Sequence, residues 1–274
     1  YLRIYFGGAV FLFLYNTLNG IYNALGDSNT PLKFLMVSAL TNIGLDLLFV
    51  IRFHMGVAGV AWATLIAQGL CAVASFFVLI RRMKAMENEP AAADKKFAFF
   101  EANAARRIAR VGVPSMLQQS IVSLSMMFMQ GLVNSYGKVF VAGYTAATKI
   151  DTLAMMPNMN FSNAMSSYTA QNIGAKIYPR VREGFKAGLK LVWTLCIPLC
   201  FLYICLGKYL LLLFMDQSSA KALETGRQFL WILSPFYFAI SAKLIADGIL
   251  RGAGAMKEFV VATFTDLTLR VILA

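Results

Sequence analysis

The chain has 274 residues, of which 59% are hydrophobic and only 14% charged, a balance that excludes an ordinary soluble domain and reads as a polytopic membrane protein. Its net charge of +12 does not point to nucleic acid, because the Lys and Arg residues sit between apolar segments, where they set topology and meet anionic lipid heads. Cys71, Cys196, Cys200 and Cys205 lie inside apolar runs and the one histidine, His54, in a short loop, so neither a metal site nor an enzyme is expected.

Crossing the hydrocarbon takes about 20 mostly apolar residues per helix. Eight segments fit: 5–25, 33–51, 57–80, 112–134, 141–172, 186–206, 229–250 and 257 to the end. These runs are too long for strands and lack sustained alternation, so the expected fold is all-α. In the first helix Asn16, Asn19 and Asn23 form one polar stripe, which either packs through interhelical hydrogen bonds or lines a cavity. The turn at 26–31 puts Thr30 where it caps the next helix and Pro31 at its first position. Asn42 and Asp46 follow one turn apart, with Asp46 an intramembrane acid placed to bond Asn42 or a neighbouring helix. Gly59, Ala63 and Ala67 recur every four residues in the third helix, a groove of small side chains for close packing.

Residues 81–110 are polar and basic and read as a cytoplasmic linker, with a short surface helix at 97–110. The fourth helix carries Gln118, Gln119, Ser120, Ser123, Ser125 and Gln130 but no charge. The fifth holds Lys149 and Asp151; Pro157 then interrupts it, and Asn158, Asn160 and Asn163 follow. Intramembrane charges normally face protein or a wet cavity, so this is either a kinked packing helix or the wall of a polar path. At 3.6 residues per turn Lys149 and Asp151 point about 200° apart, and each needs its own partner. The sixth helix contains Pro198 and leads into an interfacial stretch at 207–225. In the seventh, Lys243 and Asp247 have the spacing of an intrahelical pair.

With the linker in the cytoplasm, 15 of the 25 Lys and Arg residues fall on that side and six on the other, and four (149, 190, 243 and 270) lie in spans, an asymmetry that supports this orientation. The stretch Asn23–Asp27 resembles Arg251–Ala255. Each ends a long helix on the cytoplasmic side and precedes a basic residue, Lys33 or Lys257, the layout of a duplicated transporter.

Five stretches together, YNALGDSNTP, GVAGVAWATLIAQ, TAATKIDTLAMMP, AQNIGAK and GILRGAG, resemble the multidrug and toxic compound extrusion (MATE) family over nearly the whole chain. The resemblance implies two six-helix lobes, related by a pseudo-two-fold, that face each other across a central cavity. The chain is then an internal fragment: 1–80 the last three helices of the N-terminal lobe, 81–110 the cytoplasmic linker, and 111–274 five helices of the C-terminal lobe, the last incomplete. It also implies a multi-pass protein of the cell membrane that exports small organic, often cationic, compounds in exchange for protons or sodium ions. It implies no cofactor beyond the coupling ion, no metal, contact with membrane lipid but no nucleic acid, and a monomer at full length. Pathway candidates are Asp151, Lys149, Asn158, Asn160, Gln118, Gln119, Asn16, Asn19, Asn42, Asp46 and Asp247, with Pro157 as the kink. The family's coupling aspartate in helix one lies outside the chain, 114–130 has no acid to match that of helix seven, and Asp247 matches the helix-ten acid loosely. The alternative is a flippase of lipid-linked sugars from the same superfamily, which favours a strongly cationic cavity; Lys149, Lys190, Lys243 and Arg270 are its candidates.

Overall fold

The computed structural model describes residues 6–87, 101–215 and 220–273, and among these every regular element is helical. The chain divides into two compact units, 1–99 and 100–274. The first contains α1 (Ala9–Ala24), α2 (Asn29–Leu47, prolonged by a π turn at Leu48–Arg52) and α3 (Gly56–Glu87). The second contains α4 (Ala102–Ser135), α5 (Lys138–Gly174), α6 (Tyr178–Leu212), α7 (Ala220–Leu233), a 3-10 turn (Ser234–Phe236), α8 (Tyr237–Gly252) and α9 (Met256–Leu273).

In the first unit α3 packs against both α1 and α2. Gly59, Ala63 and Ala67 are buried as the small-residue spacing predicts, and a Cβ on Gly59 would come within 3.0 Å of Phe49 and Met55. Tyr22 is fully buried beside Leu18 and Leu79, and its hydroxyl donates to the Ser75 carbonyl at 3.0 Å, which closes the α1–α3 contact. The α1–α2 turn differs from expectation: α2 starts before Thr30, and the cap comes from Asp27. Its Oδ1 accepts the N–H groups of Asn29 and Thr30, both at 3.1 Å, and its Oδ2 the Thr30 hydroxyl at 2.7 Å and the Arg82 guanidinium from α3. A carboxylate two residues ahead reaches these orphan N–H groups better than the threonine within the first turn. The Thr30 hydroxyl and N–H, then Arg82, hold the Asp27 carboxyl at about 2, well below the usual carboxylate range.

In the second unit α5 is the hub, in contact with α6, α7 and α8, while α9 bridges α4 and α8. The buried face of α5 is mostly of small residues, Gly143, Ala146 and Ala147 beside the larger Ile150 toward its start and Asn158 and Ser162 further on. Small side chains let helix backbones meet. A Cβ on Gly143 would clash with the Ala222 carbonyl of α7, and Cβ atoms on Gly248 and Gly252 of α8 would clash with the carbonyls of Ser162 and Ser166. Between these crossings Val192, Cys196, Tyr203, Leu211, Leu230, Tyr237 and Ile245 fill the core.

The two stretches of the suspected repeat end their helices with the same backbone pattern, one that also closes α5 at Ala175–Ile177 and so belongs to a common helix stop. After α1, N–H groups of Leu25, Gly26 and Asp27 bond the carbonyls of Ile21, Asn23 and Tyr22; after α8, those of Ala253, Gly254 and Ala255 bond Ile249, Arg251 and Leu250 in the same register. Gly26 and Gly254 both adopt the left-handed conformation, at φ 79° and 70°, as this helix stop requires.

Several boundaries move. Pro157 lies inside α5 without interrupting it, because neighbouring packing tolerates one missing N–H. The predicted linker 81–110 begins inside α3, which runs on to Glu87, and Ala102–Arg110 is not a separate surface helix but the start of the continuous α4; 88–100 lies outside the described residues. Of the interfacial stretch at 207–225, 207–212 belong to the end of α6 and 220–225 to the start of α7, while 216–219 lie outside the described residues. The seventh predicted span starts earlier, at Ala220, and is broken by the 3-10 turn around Pro235. Among the described residues four stretches are long and apolar enough to cross a membrane: Asn29–Arg52, Gly56–Lys84, Tyr178–Leu212 and Ala220–Gly252. Helices α4 and α5 are longer than needed, at 34 and 37 residues, but polar stripes dilute their apolar content.

Candidate functional site

Helix α5 presents two unlike sides. On the packed side Asp151 accepts a hydrogen bond from the Tyr237 hydroxyl of α8. Tyr237 is fully buried, its hydroxyl lies 3.2 Å from that of Tyr203 on α6, and the two rings meet edge to face at 5.5 Å. One carboxylate thus joins three helices. Around it the Cys200 thiol donates to the Ser234 carbonyl at 3.0 Å, and Cys196 lies 3.6 Å from the Ser241 hydroxyl, so the cysteines serve as small core residues with weak hydrogen bonds. A pocket of about 220 Å³ next to this cluster is lined in part by Pro157, Asn158, Cys196 and Pro198. Asn158 is 3% exposed and belongs to the packed side.

Further along α5 the Ser162 hydroxyl donates to the Leu244 carbonyl at 2.6 Å and accepts from Arg251 at 2.9 Å. The same Arg251 nitrogen reaches the Asn163 side chain at 3.4 Å. Asp247 is buried and forms the expected i,i+4 pair with Lys243 at 3.9 Å, but Lys243 lies closer to Asp266 of α9, at 3.0 Å. Opposite charges half out of water stabilise one another most when direct hydrogen bonds form, so α9 holds Lys243 more closely than its own helix does.

The open side of α5 carries Thr145, Lys149, Thr152, Met156, Asn160 and Asn163, all exposed and spaced by three or four residues on one face. Thr152 and Asn160 bond back to the carbonyls of Thr148 and Met156 at 2.8 and 2.9 Å. Lys149 and Asp151 diverge as the helical geometry demands. Asp151 finds Tyr237, whereas no hydrogen bond or ion pair among the described residues engages Lys149. Helix α4 has a comparable face: Met116, Gln119, Ser123, Met127, Gln130 and Asn134 are exposed along it, with Gln130 donating to Asn134 at 3.0 Å. Gln118 is half-buried and lies off that face.

The candidates in the first unit do not assemble into one group. Asn16 is exposed and bonds back to the Leu12 carbonyl at 2.9 Å. Asn42 reaches Thr64 of α3 at 3.4 Å rather than Asp46, and the buried oxygens Asn19 Oδ1 and Asp46 Oδ1 find no hydrogen-bond donor among the described residues. Of the two partners open to Asp46, Asn42 is turned instead to Thr64 across the helix interface. Among the described residues no cluster of His, Cys, Asp or Glu could hold a metal ion. Sequence reasoning missed Tyr203, Tyr237, Arg251 as a bridge to α5, and Asp266. Tyrosines inside apolar spans were the available signal, since a buried hydroxyl needs a partner.

A family model described as MatE matches residues 114–274, and one described as Lipid II flippase MurJ matches residues 1–142. The chain is 33% identical over 261 residues to YpnP, a probable multidrug resistance protein of Bacillus subtilis, covering 95% of this chain and 57% of that one. It is 24% identical over 209 residues to an FAD transporter of Shewanella oneidensis, covering 73% and 45%. A crystal structure of MATE in complex with MaL6 superimposes with a TM-score of 0.83 at 21% identity over 96% of this chain and 58% of that chain. The chain thus spans about half the length of these relatives.

Proposed function

The chain belongs to the MATE family, and from that premise we propose that, as part of the full-length protein, it forms helices four to eleven of a secondary active antiporter that exports small organic compounds in exchange for protons or sodium ions. The observation that supports the reading is α5, whose open polar side and Asp151-bearing packed side belong to one continuous helix. A charged carboxylate accepts the Tyr237 hydrogen bond; a proton or cation on Asp151 competes for the same oxygen. Loading the ion therefore alters the α5–α8 contact, and the open side of α5 moves with it. Linkage requires only that ion and substrate favour different states of one element.

The test is efflux of a fluorescent drug by the full-length protein, normalised to folded protein in the membrane, for Asp151→Asn and Tyr237→Phe. Both are expected to reduce efflux per folded molecule, with Asp151→Asn also weakening its dependence on the ion gradient. Normal gradient-driven efflux per molecule in Asp151→Asn removes the coupling role. The basic-residue asymmetry supports a cytoplasmic linker at 81–110; cysteines placed there are expected to resist impermeant thiol reagents in intact cells, while one near Lys138 reacts. A second reading, transbilayer movement of a lipid-linked sugar, is favoured by the MurJ match over 1–142; it predicts flipping of such a lipid in proteoliposomes without drug efflux.

A further inference from the structure

An ammonium group within a membrane-spanning helix is expensive unless water or a counter-charge meets it. Lys149 sits eleven residues into α5, about 16 Å from its start at 1.5 Å per residue, on the exposed side. Its sequence neighbour Asp151 points the other way and is engaged by Tyr237. The remaining described carboxylates of residues 100–274 are committed or remote along the helices. Asp247 and Asp266 both face Lys243, at 3.9 and 3.0 Å, and Glu224 faces Arg227 at 3.9 Å. Glu101 stands just before α4, Glu258 in the first turn of α9 and Glu183 in the second turn of α6. The open stripe of α5 from Thr145 to Asn163 thus holds one cation and no acid, with neutral hydroxyl and amide groups on either side. Met156 and Met159, 52% and 56% exposed, add adaptable apolar surface of the kind that accommodates varied ring systems.

We infer that Lys149 binds an anionic group, a phosphate or carboxylate, of the transported compound, so that the substrates are amphiphilic anions rather than the cations usual for such exporters. The inference rests on the efflux reading above and specifies its substrate class. The substrate's charge supplies the counter-ion that the described residues of 100–274 do not, in charge-assisted hydrogen bonds with the ammonium. The neutral groups around it reject nothing by charge, and an organic cation meets like-charge repulsion there.

The experiment compares two planar dyes of opposite charge, carboxyfluorescein and ethidium, with the full-length protein in proteoliposomes under an imposed ion gradient. Wild type is expected to move carboxyfluorescein. Lys149→Gln is expected to cut that rate at least about tenfold, as loss of a charge partner does, while Lys149→Arg retains most of it and the melting temperatures of both variants stay at the wild-type value. Movement of ethidium with carboxyfluorescein excluded overturns the assignment and leaves efflux standing, as does carboxyfluorescein transport unaffected by Lys149→Gln. A lowered melting temperature in Lys149→Gln with the ratio of the two dye rates unchanged also overturns it, placing Lys149 in an ion pair with another part of the protein. If neither dye moves, the efflux reading fails first and the inference falls with it.

Discussion

The packed and open sides of α5 differ less in polarity than in commitment. The packed side carries Asp151, Asn158 and Ser162, and Asp151 and Ser162 are held by groups on α8, Tyr237 and the Leu244 carbonyl. The open side carries Lys149, Thr152, Asn160 and Asn163, where Thr152 and Asn160 bond only to their own helix, Lys149 to none of the described residues, and Asn163 alone is reached from α8, by Arg251. Polar groups inside a membrane protein thus fall into two kinds. Those that join helices stabilise the fold, and those left open make no such contact among the described residues.

The largest effect is expected where the packed side depends on the absence of a side chain. Gly248→Leu places atoms against the Ser162 carbonyl backbone, which no rotamer avoids. Overpacking costs about 1–3 kcal/mol and sometimes more; here the upper end is expected, seen as loss of a monodisperse peak in size-exclusion chromatography. Gly131→Ala on α4, whose Cβ would meet nothing within 4 Å, is the matching control and is expected to leave stability unchanged or slightly raised. Equal damage from both would erase the distinction between crossings and open faces.

Next comes the tyrosine clamp. Tyr237→Phe keeps the ring contact with Tyr203 but leaves the Asp151 carboxylate without its donor, a loss of about 1–3 kcal/mol measurable by thermal unfolding in detergent. Adding Asp151→Asn is expected to recover part of it, because the orphaned charge is gone; strictly additive losses would mean that the two groups do not act as a pair.

A smaller, pH-dependent effect belongs to Asp27, a carboxylate clamped at the rim rather than in the core. Its folded-state value of about 2 lies below the ordinary 3.8, so its stabilising contribution is complete above that ordinary value and disappears as pH falls toward about 2. Asp27→Asn is expected to lower the melting temperature near neutral pH and to converge with wild type at the acid end. A constant difference at every pH would remove the charged contacts to Thr30 and Arg82 as its cause.

The smallest stability change is expected for Lys149→Gln, within about 0.5 kcal/mol of wild type as for exposed sites without partners. A drop comparable to that of Tyr237→Phe would show the open side to be a packed one.

Much of this was legible without a structure. Composition alone dictates membrane helices, because long apolar runs with few charges have no other stable environment. The four-residue spacing of Gly59, Ala63 and Ala67 predicts a close crossing, and the 100° step per residue separates Lys149 from Asp151 onto opposite sides of α5. The glycines at 26 and 254 mark matching helix stops, since only glycine enters the left-handed region freely. None of this says which side of α5 is filled. Periodicity sorts residues into faces, but whether a face meets another helix or stays open is set by contacts between segments far apart in the chain. Tyr237 lies 86 residues from Asp151 and Arg251 89 residues from Ser162. Read locally, Arg251 is only a basic residue at a helix end, and Tyr237 one aromatic among many. Only the tertiary structure turns them toward α5, because small residues at both crossings let α8 come close enough for a hydroxyl and a guanidinium to reach their partners.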